Sequence, residues 1–272
     1  MKKYLKEILI SILVIFLMII ATLFDLKIDQ NINNPSSWWA LIFEVIGEFP
    51  IYIGLLLFSI TYFNIQSNKK MKSLYLVLVY FSTFLFILMP SRYFVSMKML
   101  NLSIILLVST MVFFLITYLS RKIKKEYYEK IKNIALMCGI GIVVELLLIT
   151  LLKQCWSRVR FFELDEDYSQ FTPWYIINWF EGNHTSFPSG HTAGATNILY
   201  LSLITPLFTD DKKKHIFITS LCYVFIALTA FSRLVLGRHY LSDVVMAFAI
   251  TYVIHKIVVY VVKHRQKNNK SI

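Results

Sequence analysis

Apolar runs close to the ~20 residues that a helix needs to cross a bilayer recur along the whole of this chain. They lie at 8–24, 39–63, 73–89, 102–119, 133–152, 193–208, 216–231 and 244–262 of its 272 residues. Inside lipid, backbone N–H and C=O groups find no water and must be satisfied within the segment, which a helix does. The expected fold is therefore all-α, a polytopic transmembrane helix bundle of eight spans, several short enough that one could be re-entrant. Charged residues make up 16% of the chain, against about a quarter in soluble domains. The chain reads as a single membrane domain, 1–272, with no soluble module.

Basic residues orient it, because Lys and Arg concentrate in cytoplasmic loops. With the N-terminus inside, nineteen of the 28 Lys and Arg residues fall in inward segments. Eight fall outward (Lys27, Arg92, Lys98, Lys153, Arg158, Arg160, Arg233, Arg238), and Lys256 lies within the last run. The expectation is a multi-pass protein of the cell membrane with both termini in the cytoplasm. The net charge of +12 is then mostly charge facing an anionic inner leaflet, and no nucleic-acid partner is implied. Met1-Lys2-Lys3 and the run behind it have no small-x-small cleavage site before Asp25. They read as a retained first helix and not as a secretory signal. Cys138, Cys155 and Cys222 are too few for a disulfide framework and read as small buried residues.

Three short stretches carry the chemistry, and under this topology all three lie on the outer side. In the first, Lys153-Gln-Cys-Trp-Ser-Arg-Val-Arg160, six residues separate the lysine from the last arginine. A lysine is a point charge for phosphate, while an arginine can grip two oxygens at once. The second, Ser186-Phe-Pro-Ser189-Gly190-His191, opens a helical run. Free N–H groups at a helix start suit an anion, Gly190 allows close backbone approach, and Ser189 can cap the helix or donate to the anion. The third joins Ser232-Arg233 to His239 and Asp243, an imidazole and a carboxylate four positions apart on one helix face. A carboxylate bonded to one ring nitrogen fixes the tautomer and leaves the other free to attack.

Each stretch alone has a plainer reading: snorkelling basic residues, a common Ser-Pro-Gly turn, a capped helix start. Together they are an inventory for holding a phosphate and breaking its ester through a histidine. His191, His239 and Asp243 are also a familiar ligand set for a metal. The cations crowded beside them oppose a divalent ion and suit a tetrahedral oxyanion, so neither a metal nor a cofactor is expected.

In order and spacing these motifs resemble the type 2 phosphatidic acid phosphatase family, membrane lipid phosphatases that share a core with vanadium haloperoxidases. The resemblance covers about residues 130–262, while 1–120 contributes nothing recognisable, and the family core would hold six spans. It implies that His239 attacks phosphorus to give a phosphohistidine, that Asp243 orients it, and that His191 protonates the leaving oxygen. It also implies that Lys153, Arg160, Ser189, Gly190 and Arg233 hold the phosphoryl oxygens. The family pattern has proline after the arginine of the first motif, where this chain has Phe161.

The implied activity is hydrolysis of a lipid phosphate or diphosphate at the outer face. Its partners are that lipid and the bilayer, with no obligate protein partner inferred. Phosphatidate, phosphatidylglycerol phosphate and prenyl diphosphates present the same group to the same cations. Low Gly and Ala with abundant Ile, Lys and Asn fits an AT-rich bacterial genome, which makes undecaprenyl diphosphate the leading candidate. Two other readings stay open. A transporter or flippase of anionic lipids would use the cations for binding and would not need His239 with Asp243. A lipid phosphotransferase would pass the phosphoryl group to an alcohol, which sequence does not separate from hydrolysis.

Between the first two motifs lie an acidic patch (Glu163, Asp165, Glu166, Asp167) and an aromatic stretch, 171–180. Trp and Tyr gather at membrane interfaces, so the stretch reads as a short surface helix beside the site, and His184 has no partner in spacing. Glu44, Glu48 and Glu145 lie at or within apolar runs, where ionisable groups are costly and usually paired. They read as structural partners of basic residues or as interfacial groups, in preference to a proton pathway.

Overall fold

The computed structural model describes residues 4–93 and 102–268, with side chains as far as 265. Of the basic residues used for orientation, Lys2, Lys3, Lys98 and Lys270 lie outside the described residues, and Lys267 is described by its backbone alone. The fold is all-helical, with 78% helix and no strand among the described residues. Its helices are α1 (Leu5–Ile32), α2 (Trp38–Ile46), α3 (Phe49–Ile65), α4 (Lys69–Ser91) and α5 (Leu102–Lys122), followed by α6 (Lys125–Trp156), α7 (Gly190–Thr196), α8 (Ile198–Ser202), α9 (Lys212–Val235) and α10 (Leu241–Asn268).

Among the described residues, seven helical stretches are long and apolar enough to cross a membrane, α2 and α3 counting as one. This is a multi-pass membrane protein. The eighth expected run, 193–208, is divided among α7, α8 and a 3₁₀ turn at Thr205–Leu207. Hydroxyls there bond to backbone carbonyls, Thr196 Oγ1 to Thr192 O at 2.7 Å and Ser202 Oγ to Leu199 O at 2.8 Å. Such back-bonding competes with the helix ladder, and Pro206 brings no N–H to it.

The stretch 171–180 is a second departure, since it forms turns where a short helix was expected. Trp179 and Phe180 have φ of +48° and +70°, which a right-handed helix does not admit. Indoles hold the segment instead: Trp156 Nε1 donates to Trp174 O at 2.6 Å, and Trp174 Nε1 donates to Thr22 Oγ1 at 2.9 Å.

The chain divides into two compact units. One is the described part of Met1–Gly47, Val144–Thr196 and Val224–Ile254. In it Met18 of α1 packs with Leu234 of α9 and with Val244 and Val245 of α10. Ala193 of α7 packs with Ile149 and Ala247, and Trp39 of α2 stacks on Phe231 with ring centroids 5.7 Å apart. All the expected site residues belong to this unit. The other is the described part of Glu48–Val143, Asn197–Tyr223 and His255–Ile272. There α3 packs on α4 and α4 on α5, with Phe58, Tyr62 and Tyr75 in mutual ring contact. Asn68 caps α4 by accepting from the N–H groups of Lys70 and Met71, and Glu48 accepts from Tyr52 and Arg92 at 2.9 Å each.

Candidate active site

The first motif begins in the last turn of α6. Lys153 Nζ donates to the carbonyl of Thr185 at 2.5 Å. Ser157, with φ of +40°, then ends the helix, and Arg158 beyond it is fully buried. Arg160 returns to Thr185, where Nη2 donates to Oγ1 at 2.7 Å; its Nη1 lies 3.7 Å from Glu163. Lys153 and Arg160 thus meet at the residue just before the second motif.

In that motif Ser189 takes the capping role. Its hydroxyl accepts from Thr192 N at 3.4 Å and from Thr192 Oγ1 at 3.1 Å, while its own N–H donates to Asp243 O at 3.1 Å. Gly190 begins α7, and a Cβ there would meet only Lys153 Cε, at 3.6 Å. The bare face of the glycine therefore borders the lysine stem. His191 follows on the same turn, half-buried.

The third motif turns on Gly237, whose φ of +63° favours glycine. The turn lets the N–H groups of Arg238 and His239 both reach Arg233 O, at 2.9 and 3.3 Å. Arg233 is buried, and its Nη2 donates to Glu44 Oε1 at 3.0 Å; Arg238 Nε reaches the same oxygen at 3.2 Å. Asp243, in the first turn of α10, is fully buried. Its Oδ1 accepts from Arg158 Nη1 at 2.7 Å, and its Oδ2 from Ser186 Oγ at 2.5 Å and Tyr240 N at 3.0 Å. His239 Nδ1 stands 3.5 Å from that Oδ2. This is longer than a hydrogen bond, but it turns Nδ1 to the carboxylate and leaves Nε2 for chemistry. Burial holds the imidazole pKa at about 3, below the ordinary 6.5. Asp243 opposes the shift, while the charges of Lys153 and Arg233 add to it. His239 is a neutral base at pH 7.

Sequence reasoning gave Arg158 and Asp25 no role, yet they are central to this network. Arg158 donates through Nε to Thr172 O at 2.8 Å, through Nη1 to Ser242 Oγ at 2.8 Å, and through Nη2 to Asp25 Oδ2 at 3.1 Å. Its guanidinium lies 4.2 Å from the Tyr240 ring centroid. One signal was present: a carboxylate at the end of the first apolar run needs a partner. Phe161, in the place of the family proline, is buried and stacks on Tyr168 with centroids 6.0 Å apart. The next residue ties the first motif to the third, Phe162 N donating to Gly237 O at 3.2 Å. His184 Nδ1 lies 3.3 Å from Glu163 Oε2 in the exposed loop. Among the described residues no group of three or more His, Cys, Asp or Glu side chains is placed to hold a metal ion.

Residues 133–267 match the family model of the PAP2 superfamily. Over that half, the chain belongs to the PAP2 superfamily. Members of the PAP2 superfamily are generally phosphatases of phosphoric esters, often of lipid phosphates. No curated protein matches the chain, and no solved structure does. The PAP2 match begins in α6 and ends in α10, so it contains all three motifs. It leaves out Asp25 and Glu44, the acids that meet Arg158 and Arg233.

Proposed function

We propose that the chain is an integral-membrane phosphatase that hydrolyses a lipid phosphate or diphosphate at the extracytoplasmic face, through a phosphohistidine on His239. The observation that carries this reading is a buried, neutral imidazole whose Nδ1 faces a carboxylate fixed by Arg158, Ser186 and Tyr240. Binding an anion needs cations alone, whereas a nucleophile needs an oriented ring.

In the first step Nε2 of His239 attacks phosphorus, and an N–P bond forms as the bond to the lipid oxygen breaks. His191 gives that oxygen its proton. In the second, water loses a proton to His191 and attacks phosphorus; the N–P bond breaks and orthophosphate leaves. Charge grows on the phosphoryl oxygens in both steps, and fixed donors act there most strongly. Lys153, Arg160 and Arg233, with the Ser189 hydroxyl and the Gly190 N–H, are the groups assigned to hold them. Asp243 orients the ring and supports its positive charge.

The distribution of Lys and Arg supports cytoplasmic termini and an outward-facing site. This topology counts 193–208 as a crossing although it is divided. Undecaprenyl diphosphate leads the candidate lipids, followed by phosphatidate and phosphatidylglycerol phosphate. The test is phosphate release from these lipids by purified protein in detergent, with EDTA or orthovanadate added. Release that survives EDTA and stops with vanadate is expected. Activity lost in chelator and restored by Mg²⁺ or Zn²⁺ would overturn the metal-free route, and no release from any lipid would overturn the phosphatase reading.

A further inference from the structure

Asp25 lies on α1, outside the stretch that matches the PAP2 superfamily, yet it is joined to Asp243 through two shared partners. Its Oδ1 accepts from Ser242 N at 2.9 Å. Its Oδ2 accepts from the Ser242 hydroxyl and from Arg158 Nη2 at 3.1 Å. Ser242 and Arg158 also meet each other, and Arg158 Nη1 continues to Asp243 Oδ1. Asp25 is 4% exposed, while Arg158, Ser242 and Asp243 are 0% exposed.

Stability alone is a poor reason for such an arrangement. Removing ions from water costs about as much as their attraction returns, and well-packed apolar replacements are often as stable. What an arginine between two carboxylates does supply is geometry, because the guanidinium is a rigid planar fork. With Nε on Thr172, Nη1 on Ser242 and Asp243, and Nη2 on Asp25, every nitrogen of the fork is held. Asp25 therefore fixes where Nη1 points, and Nη1 holds the carboxylate that faces the His239 ring.

We propose that Asp25 is a positioning residue of the phosphatase site. It holds Arg158 and Ser242 in the geometry in which they fix Asp243, and through Asp243 the ring of His239. The inference rests on the phosphatase reading and gives α1 a part in the reaction.

The test compares full-length Asp25→Asn, Asp25→Glu, Asp243→Asn and the double variant Asp25→Asn/Asp243→Asn with wild type. Each is measured on the lipid and on p-nitrophenyl phosphate, with the folded fraction measured alongside. Asp25→Asn should lower kcat by about 10–100-fold, as loss of an outer partner does for a metal-ligating imidazole, with KM unchanged. The factor should be the same on both substrates, and Asp25→Glu should recover most of the loss. In the Asp243→Asn background the same substitution should change kcat by less than about 2-fold, because its route to the ring is already gone. Unchanged kcat per folded molecule, an equal loss in both backgrounds, or a rise in KM on the lipid alone would each overturn the proposal. If Asp25→Asn does not fold, Ser242→Ala removes only the hydroxyl between Asp25 and Arg158, and unchanged kcat there overturns it equally. Wild type that turns over neither substrate sinks the phosphatase reading and this inference with it. Active wild type with an unaffected Asp25→Asn sinks this inference alone.

Discussion

Replacing Arg158 by methionine keeps a long side chain and strands two carboxylates. Arg158 is 0% exposed, and it supplies a cation to both Asp25 and Asp243, at 3.1 and 2.7 Å. Removing one partner of a buried ion pair costs about 3–5 kcal/mol, because an uncompensated charge is left behind. That is a large share of a typical ~5–15 kcal/mol. At about 2–4 °C per kcal/mol for a chain near this size, Arg158→Met should unfold roughly 6–20 °C lower in a fixed detergent. The sign of a second substitution makes the test sharp. Asp25→Asn alone should destabilise, since it takes an acceptor from Arg158. Added to Arg158→Met it should return about 1–3 kcal/mol, since it removes one of the two stranded charges. Activity should stay lost in the double variant, because Asp243 still lacks its guanidinium. Thermal unfolding of the four proteins of this cycle decides it. An Arg158→Met protein as stable as wild type, or an Asp25→Asn effect equal in both backgrounds, would refute the reasoning.

The two histidines should fail differently: His239→Ala should form no phosphoenzyme and release no phosphate from either substrate. His191→Ala loses only the leaving-group acid, about 10²–10⁴-fold, and should retain more activity on p-nitrophenyl phosphate than on the lipid; equal losses for both variants on both substrates would contradict the roles. A tag in the 210–214 loop should be cytoplasmic and Ser169→Cys should label from outside intact cells, whereas protection of Ser169→Cys would reverse the orientation. The depressed pKa of His239, about 3 against 6.5, also predicts a stability slope. Between those values the unfolded chain binds a proton there and the native protein does not, so acidification destabilises by up to about 1.4 kcal/mol per pH unit. Above pH 6.5 the group contributes nothing. His239→Gln should flatten unfolding temperature against pH between 6.5 and 4, and an unchanged profile would contradict the neutral buried ring.

What could be read from the sequence is what short-range spacing encodes. Run length is enough for the seven long helical stretches, whereas His239, expected on one helix face with Asp243, lies before α10 and is brought to Asp243 by the turn at Gly237. The divided stretch at 193–208 depends on where Thr196 and Ser202 hydroxyls send their hydrogen bonds, which hydropathy does not record. The aromatic stretch at 171–180 has the composition of an interfacial helix. It is held in turns by indoles whose partners are Trp174 and, on α1, Thr22. Hardest to read are the pairs Asp25 with Arg158 and Glu44 with Arg233, which are 133 and 189 residues apart. Periodicity says nothing at that range, and the only local sign is the cost of an acid near the end of an apolar run.

The same contacts separate two arginines that the first motif places two residues apart. Arg158 lies between two carboxylates with its side chain 0% exposed, while the Arg160 side chain is 29% exposed. Lys153 and Arg160 converge on Thr185, whose carbonyl and hydroxyl are neutral acceptors. On the phosphatase reading, a phosphate arriving there would replace these two neutral acceptors with charged ones, beside the Glu163 carboxylate that Arg160 Nη1 approaches at 3.7 Å, and charge-assisted hydrogen bonds are roughly twice as strong as neutral ones. Arg158 could make no such gain, because both its terminal nitrogens already face anions. A sequence motif written as a lysine, six residues and an arginine therefore contains two kinds of cation. On the phosphatase reading, the one within it would organise the nucleophile, and the two at its ends would meet the substrate.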